Sequence, residues 1–245
     1  RLPRGVALTD EGAALAPAVH DAFERIGIAL DRSIDGRGRE VVTIGVVSSF
    51  AVTWLLPRLP DFEAAHPQID LRVLANNNRA DLAGEGLDLA IRFGDGAWHG
   101  VDAADIMPAP LTALCAPALA ARIRDLDDLA RHRLLRSYRA DEWSRFFAVC
   151  GLPGPTLRGP VFDNSIAIAQ AAADGLGIAL LPARLFGADI TAGRLVAPFP
   201  EAIDVGRYWL TRLQSRRDTP GMAAFRSWLI DAVRADRSPA TPQAI

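Results

Sequence analysis

The chain has 245 residues, half of them hydrophobic, and its 27 basic and 29 acidic side chains give a formal net charge of −2. A chain of this length and composition can bury a large core, which excludes a disordered protein and favours two lobes over one compact domain. The slightly acidic balance also excludes a chain that itself makes most of the phosphate contacts to a duplex, because those contacts need a dense positive surface.

The sequence lacks the motifs of several classes of protein. Cys115 and Cys150 stand apart, without a CxxC or Cys/His cluster, which argues against a disulfide framework or a zinc site. The four histidines are scattered and no GxSxG, Walker, HExxH or GxGxxG run is present, so we expect neither catalysis nor a cofactor. There is no secretion signal and no uncharged stretch long enough to span a bilayer. We expect a cytoplasmic protein without a membrane partner, and a piece of a longer chain.

The first predicted element is a long helix that starts near Thr9 and runs to about Ser33. Thr9 can accept a backbone amide of the first turn, and Asp10 and Glu11 suit the positive end of the helix dipole. A single apolar stripe at spacings of three and four follows, formed by Leu15, Val19, Phe23, Ile26 and Leu30. The stripe is typical of a core helix within one subunit or of a coiled-coil-like dimer seam, and the length of the helix favours the seam.

A polar, glycine-containing linker at residues 35–40 separates this helix from an α/β domain. Residues 41–47 are β-branched and nearly continuous, as in a strand buried on both faces of a parallel sheet. A helix over about 52–66, a strand over 69–74 and a strand over 87–93 complete the βαβ rhythm of an open sheet.

The second half of the domain repeats this rhythm. An extended segment at 110–117 leaves the first lobe, and a helix over 165–173 and a buried strand over 177–182 follow. A strand over 208–213 returns to the first lobe before a last helix over 219–230, with Pro220 in its first turn. We predict one lobe from residues 41–112 and 210–234, a second lobe from 113–209, and a disordered tail over 235–245.

The opening run Arg4-Gly-Val-Ala-Leu-Thr-Asp-Glu-Gly12 resembles the wing end of a LysR-type winged helix-turn-helix running into its linker helix. The body resembles the two-lobed effector domain of that family. This resemblance implies an α/β fold with two Rossmann-like lobes of periplasmic-binding-protein type II architecture, preceded by a long linker helix. Residues 1–40 would then be the end of the wing plus the dimerisation helix, and 41–234 the effector-binding domain. It further implies promoter DNA as a partner, through a winged helix largely outside this chain, and a homodimer or homotetramer.

Within that family, several runs are similar to the AmpR regulators of chromosomal β-lactamases. They are residues 76–79, 85–88, 96–100, 134–139 with 141–143, and 208–215. This resemblance implies a muropeptide effector: a UDP-N-acetylmuramyl pentapeptide that favours repression and anhydro-muramyl peptides that favour activation.

Two groups of candidate ligand-binding residues follow the first two strands. Ser48 and Ser49 precede a helix, where they would serve as an ordinary N-cap or bind a carboxylate or phosphate. By resemblance they match a ligand-contacting Gly-Thr pair, so Ser49 keeps a hydroxyl and Ser48 departs from glycine. The polar run around Asn78 and Asp81 lies at the carboxyl edge of the sheet and would be a solvated turn or a ligand contact. Asp81 matches a position that the family links to the inducer response.

The second lobe contributes further candidates. Ser165 opens a helix, as a plain cap or as a ligand donor, and Tyr208 lies near the return crossing, packing the hinge or contacting ligand. The resemblance implies that both contact the peptide. Candidates for the pocket wall or an interface are Trp98, His99, Arg136, Tyr138, Arg139, Glu142 and Trp143, with local packing favoured for Trp143.

Two alternatives share this architecture. One is a LysR regulator of another pathway, such as glycine cleavage, with a different effector. The other is a monomeric, secreted solute-binding protein of a transport system, against which the long N-terminal helix and the wing-like run argue.

Overall fold

The computed structural model describes residues 39–76, 78 and 81–236, together with residues 8, 9, 11, 12, 15, 16, 18, 19, 22, 23 and 26. The wing end predicted at 1–7, the linker at 35–38 and the tail from 237 onward lie outside the described residues. Ala235 and Asp236, which the sequence assigns to the tail, are described, and Ala235 closes the last helix.

The described residues from Glu11 to Ile26 are helical, and the predicted cap at Thr9 is confirmed: its Oγ1 accepts the amide of Gly12 at 3.1 Å. The described members of the apolar stripe are exposed to solvent in the single chain: 60% for Leu15, 41% for Val19, 69% for Phe23 and 54% for Ile26. These side chains therefore do not pack into a core of their own subunit.

The first lobe is built on a five-stranded mixed sheet with the strand order β2-β1-β3-β10-β4. The parallel arrangement predicted for its first three strands is confirmed, while β10 runs antiparallel between β3 and β4. The strands are β1 (Glu40–Val47), β2 (Ile69–Asn76), β3 (Leu89–Gly94), β4 (Val101–Pro108) and β10 (Arg207–Leu213).

The second lobe is built on a three-stranded antiparallel sheet with the order β8-β5-β9, beside a parallel pair of β6 and β7. An isolated bridge from Leu134 to Ile178 links the two. The strands are β5 (Leu111–Leu114), β6 (Arg136–Ser137), β7 (Val161–Phe162), β8 (Ala179–Pro182) and β9 (Ala202–Ile203).

The helices surround these sheets. They are α1 (Ser48–Phe50), α2 (Leu59–Ala65), α3 (Pro117–Ala120), α4 (Glu142–Val149), α5 (Ser165–Ala173), α6 (Gly187–Thr191) and α7 (Pro220–Ala235), with a 3-10 turn at Asp127–Arg131. Among the described residues, no helix is long and apolar enough to cross a membrane.

The single α-helix predicted over 52–66 is wrong in detail. The helical path starts at Ser48, passes through a π-helical turn at Ala51–Leu55 and a 3-10 turn at Leu56–Arg58, and becomes α-helical again in α2. Pro57 and Pro60 remove two amide donors from this stretch, so a regular ladder of hydrogen bonds cannot run through it.

Both lobes contribute to one continuous apolar core. Helix α7 starts at Pro220, and Thr219 caps it, because its Oγ1 accepts the amide of Met222 at 3.3 Å. It buries Met222, Phe225 and Leu229 at spacings typical of a helix. The same core includes side chains of the second lobe such as Ile168. The lobes therefore share buried surface.

A polar tie joins the lobes at the end of α7. Asp236 accepts hydrogen bonds from Trp54 Nε1 at 3.1 Å and Arg58 Nη2 at 2.9 Å in the first lobe, and from Arg184 Nη2 at 3.3 Å in the second. Burial alone would raise the pKa of Asp236, but the hydrogen bond from Trp54 and the two guanidinium groups outweigh it and lower this pKa.

Replacing Asp236 by Asn should lower the free energy of unfolding at neutral pH by about 1 kcal/mol, the usual contribution of a partly exposed charged hydrogen bond. Because the pKa of Asp236 is lowered in the folded protein, its contribution is present above the unfolded pKa and is lost as the pH falls through the folded one. In urea unfolding at several pH values, the difference in free energy of unfolding between the variant and wild type should decrease as the pH falls. Asp231→Asn is the control, since Asp231 makes only an exposed 3.8 Å pair with Arg234 on the same helix. A difference that stays constant with pH would contradict this role.

Candidate functional site: the cleft between the lobes

A cleft with about 580 Å³ of empty space, open solvent at its mouth included, lies between the two lobes. It lies at the carboxyl ends of β1 and β2, where open α/β sheets receive ligands. From the first lobe it is lined by Val47, Ser48, Ser49, Asn76, Asn78, Phe93 and Tyr208. From the second lobe it is lined by Leu111, Ser137, Tyr138, Arg139, Glu142, Asp163, Asn164, Ser165, Ile168, Leu180 and Pro182.

The floor of the cleft is a buried pair of hydroxyls. Ser49 Oγ lies 3.2 Å from Tyr208 Oη, and both residues are buried. The Tyr208 ring packs between those of Phe50 and Phe93, with centroid distances of 5.1 and 5.4 Å. Burial raises the pKa of Tyr208 to about 12, against the opposing effect of the bond to Ser49. The floor is therefore a neutral phenol that donates or accepts hydrogen bonds and carries no charge.

Ser48 and Ser49 are the first residues of α1, and the N-cap interpretation of this pair is wrong. The cap is Val47, which makes no side-chain hydrogen bond. Ser48 Oγ donates instead to the carbonyl oxygen of Asn76 at 2.9 Å, tying the end of β1 to the end of β2. Ser48 thus holds the rim of the cleft in place, while the hydroxyl of Ser49 lies on its floor.

Asn78 lines the cleft, but its side chain holds the neighbouring strand. Its Nδ2 donates to the carbonyl oxygen of Phe93, and its Oδ1 accepts the Phe93 amide, both at 2.8 Å. The backbone of Asn78 has a positive φ of 63°, which asparagine tolerates better than most residues. Asn78 therefore positions the wall rather than offering its amide to a ligand.

Asn76 provides the free donor of this corner. Its Oδ1 accepts the Asn78 amide at 3.0 Å, which orients the side chain. Its Nδ2 is buried and has no hydrogen-bond partner among the residues that the structure describes. The sequence places both Asn76 and Asn78 in the polar run and does not distinguish them. The difference arises because Asn78 contacts Phe93, which lies 15 residues further along the chain in β3.

The structure does not bring Asp81 to the cleft. Asp81 is exposed, and its carboxylate accepts the amides of Ala83 and Gly84 at 3.2 and 3.0 Å. It caps the turn before β3, so the solvated-turn interpretation describes it and a direct ligand contact does not.

Ser165 does reach the cleft from the second lobe. It is the first residue of α5, and the cap is its neighbour Asn164, whose side chain accepts the amide of Ala167 at 2.9 Å. The interpretation of Ser165 as a plain cap is therefore wrong. Its hydroxyl stands at a helix N-terminus, where backbone amides favour anionic and carbonyl groups.

The wall of the second lobe carries charge. Glu142 Oε2 accepts a 2.5 Å hydrogen bond from Ser137 Oγ, and its Oε1 lies 3.4 Å from Arg139 Nη1. Burial raises the pKa of Glu142, opposed by the bond from Ser137 and by the charge of Arg139. The predicted local packing of Trp143 is confirmed: it is buried, and its Nε1 donates to the carbonyl oxygen of Leu135 at 2.8 Å.

Some of the remaining candidates for the wall line the cleft and others do not. Tyr138 lines the cleft. Arg136 donates to the carbonyl oxygen of Gly159 at 3.1 Å, and the centroid of the Trp98 ring lies 4.5 Å from Arg92 Cζ. Arg136, Trp98 and His99 do not line the cleft.

Metal or thiol chemistry has no support in the described part of the chain. No group of three or more His, Cys, Asp or Glu side chains among the described residues could hold a metal ion. Burial raises the pKa of the Cys115 thiol to about 11, and burial and Glu201 raise that of Cys150, so neither is an activated thiolate.

Two α/β lobes around a polar cleft define a ligand-binding domain of the periplasmic-binding-protein type, and comparison with known proteins agrees. Residues 35–234 match the family model described as LysR substrate binding domain. The HTH-type transcriptional activator AmpR of Pseudomonas aeruginosa is 52% identical over 233 residues, covering 94% of this chain and 79% of that protein. The carbapenem-hydrolyzing β-lactamase transcriptional activator of Serratia marcescens is 43% identical over 235 residues, covering 95% and 80%.

Solved structures give the same result. The effector domain of AmpR from P. aeruginosa superposes with a TM-score of 0.77 at 52% identity, covering 81% of this chain and 97% of that one. A Citrobacter freundii effector binding domain with three amino acid substitutions superposes with a TM-score of 0.77 at 43% identity, covering 80% and 100%. The chain therefore belongs to the LysR family of transcriptional regulators and, within it, to the AmpR activators.

The hydroxyl pair on the floor predicts coupled stability effects. Ser49→Ala and Tyr208→Phe should each lower the free energy of unfolding by about 1 kcal/mol, because each removes the hydrogen bond and leaves the other hydroxyl buried without this partner. The double variant should lower it by no more than either single variant. Urea unfolding of the three variants measures the coupling. As a control, Tyr138→Phe combined with Ser49→Ala should be additive, since Tyr138 is exposed. Additive costs for Ser49 and Tyr208 would show that the two hydroxyls do not interact.

Proposed function

We propose that this chain is the effector-sensing part of a transcriptional regulator of β-lactamase expression, and that its cleft binds peptidoglycan-derived muropeptides. The names of the relatives support the first half: they are HTH-type transcriptional activators, one of them of a carbapenem-hydrolyzing β-lactamase. Promoter DNA would be bound through an N-terminal winged helix.

The observation that carries the proposal is the convergence of three hydroxyls on one cleft from both lobes: Ser49 and Tyr208 on the floor and Ser165 on the opposite wall. The substituted C. freundii domain replaces a threonine by valine, a serine by alanine and a tyrosine by phenylalanine. Each change removes one hydroxyl, and that serine and tyrosine are separated by the same number of residues as Ser165 and Tyr208 here. The parallel supports these three hydroxyls as the ligand-binding set.

The chemistry of the cleft suits a sugar-peptide. Hydroxyls, the free amide of Asn76 and the amides at the start of α5 match the carbonyl, amide and hydroxyl groups of such a ligand. In the proposed cycle a UDP-N-acetylmuramyl pentapeptide favours the repressing arrangement and an anhydro-muramyl peptide the activating one. This requires that each ligand binds one arrangement more tightly than the other, because a ligand of equal affinity shifts nothing.

Binding is tested by calorimetric titration of the chain with UDP-N-acetylmuramyl pentapeptide and with an anhydro-muramyl peptide. Ser49→Ala, Ser165→Ala and Tyr208→Phe should each weaken binding about fivefold, the loss of one hydrogen bond. Ser144→Ala is the matched control, because Ser144 is an exposed serine on α4 that does not line the cleft. Absence of heat and of a thermal shift with both ligands would remove the muropeptide assignment and favour a LysR regulator of another pathway.

The exposed stripe on the N-terminal helix supports a homodimer or homotetramer, since four described apolar side chains there lack cover from their own chain. Phe23→Asp should shift the mass of the chain in light scattering towards the monomer, because a charge enters the seam. Phe23→Leu keeps the position apolar and should keep the wild-type mass. An unchanged mass for Phe23→Asp would place the oligomer contacts elsewhere.

A further inference from the structure

One guanidinium stands among the described residues that line the cleft, that of Arg139. Its Cζ lies 4.2 Å from the centroid of the Phe93 ring and 5.0 Å from that of Tyr138. Phe93 belongs to β3 of the first lobe, whereas Arg139 follows β6 of the second. The cation therefore reaches across the cleft between two aromatic faces.

The charge of Arg139 is incompletely neutralised. Among the described residues its guanidinium makes one hydrogen bond, to Glu142 Oε1 at 3.4 Å, which is long beside the roughly 2.8 Å of a strong charge-assisted bond. Glu142 gives its other oxygen to Ser137 at 2.5 Å. The Arg139 side chain is 29% exposed, so that a ligand can reach it.

The two acids of the lining are both engaged and do not take up the remaining donors of Arg139. Glu142 is buried and holds Ser137 and Arg139. The Oδ1 of Asp163, beside the start of α5, accepts Asn164 Nδ2 at 2.8 Å. With respect to the described residues, Arg139 is thus a positioned cation with free donors in the cleft.

We infer that Arg139 binds an acidic group of the effector, a carboxylate or a phosphate. The inference rests on the proposed function and names the charge that the effector must carry. A planar guanidinium offers five donors in a fork that matches two oxygens of either group, and a partly desolvated site strengthens the pairing. Glu142 and Ser137 act as positioning residues that hold the fork in the cleft.

The alternative role for Arg139 is that of a latch, acting only through its contact with Phe93. A latch affects all ligands equally, because it changes how the lobes close. An anion-binding group affects only ligands that carry the acidic group. Ligand pairs that differ in a single charge therefore distinguish the two roles.

The test is calorimetric titration of the 245-residue chain with a muramyl pentapeptide ending in a free carboxylate, with its carboxamide, and with the UDP-linked form. We expect wild type to prefer the carboxylate over the carboxamide, or the UDP-linked form over the unlinked one, by about tenfold. Preference for the carboxylate over the carboxamide assigns Arg139 to the peptide terminus, and preference for the UDP-linked form assigns it to the diphosphate. Arg139→Gln should abolish that preference while binding the less charged ligand within about twofold of wild type.

Two further variants complete the test. Arg139→Lys keeps the charge without the fork and should restore part of the preference. Arg136→Gln is the matched control, since Arg136 lies nearby, bonds the carbonyl oxygen of Gly159 and does not line the cleft. Equal weakening of both members of each ligand pair by Arg139→Gln, or no weakening at all, would overturn the inference in favour of a latch or a bystander.

A failure of the proposed function gives a different result from a failure of the role inferred for Arg139. If wild type binds none of the muramyl ligands, the muropeptide assignment fails, and Arg139 is tested with acetate and inorganic phosphate instead. Titration of either anion should then shift the Nε–H resonance of Arg139 in the nitrogen-correlated NMR spectrum, assigned by its loss in Arg139→Gln. An unmoved resonance with both anions would overturn the inference independently of the effector's identity.

Discussion

The cleft depends on the insertion of β10, antiparallel, between β3 and β4. In this register Tyr208 lies opposite Phe93 on one side and Met107 on the other, which brings its phenol to Ser49 at the end of β1. The chain returns from the second lobe at this strand, so the floor of the cleft is also the crossing between the lobes. Gly206 stands just before it with φ at 147°, where a Cβ would lie 3.0 Å from the carbonyl oxygen of Gly94. The crossing is therefore close-packed, and movement of the lobes must act on the strand that carries the floor.

The lobes are also joined away from that crossing. They share apolar core, and Asp236 ties Trp54 and Arg58 to Arg184. At the cleft itself, Arg139 and Phe93 meet across the gap. The shared core is buried and costly to separate, whereas the Arg139 side chain is 29% exposed, so the contact across the gap is the easier one to exchange.

Elements with strong local signals were predictable. The β-branched run of β1, the cap and proline at the start of α7 and the bounds of α5 follow from neighbouring residues alone. Strand β4 carries two aspartates among small residues, and its place at the sheet edge depends on pairing with β10, about a hundred residues later. The cleft was predictable in outline, with Ser49, Ser165 and Tyr208 converging on it. The separate roles of Asn76, Asn78 and Asp81 could not be predicted. The contact with Phe93 separates Asn78 from Asn76, and the local turn holds Asp81; neither feature can be read from one sequence.

The floor of the cleft is neutral and its wall is charged. Ser49 and Tyr208 bond each other, and each hydroxyl keeps hydrogen-bonding capacity that a ligand could use. The start of β1 is held on two sides by hydrogen bonds of Glu40. Glu40 Oε2 accepts the amide of Gly221 at 2.8 Å, and its own amide donates to the carbonyl oxygen of Gln68. Gly221 approaches so closely that a Cβ there would lie 2.7 Å from Glu40 Cδ. Glu40 is thus fixed to both α7 and β2 at the point where the described domain begins.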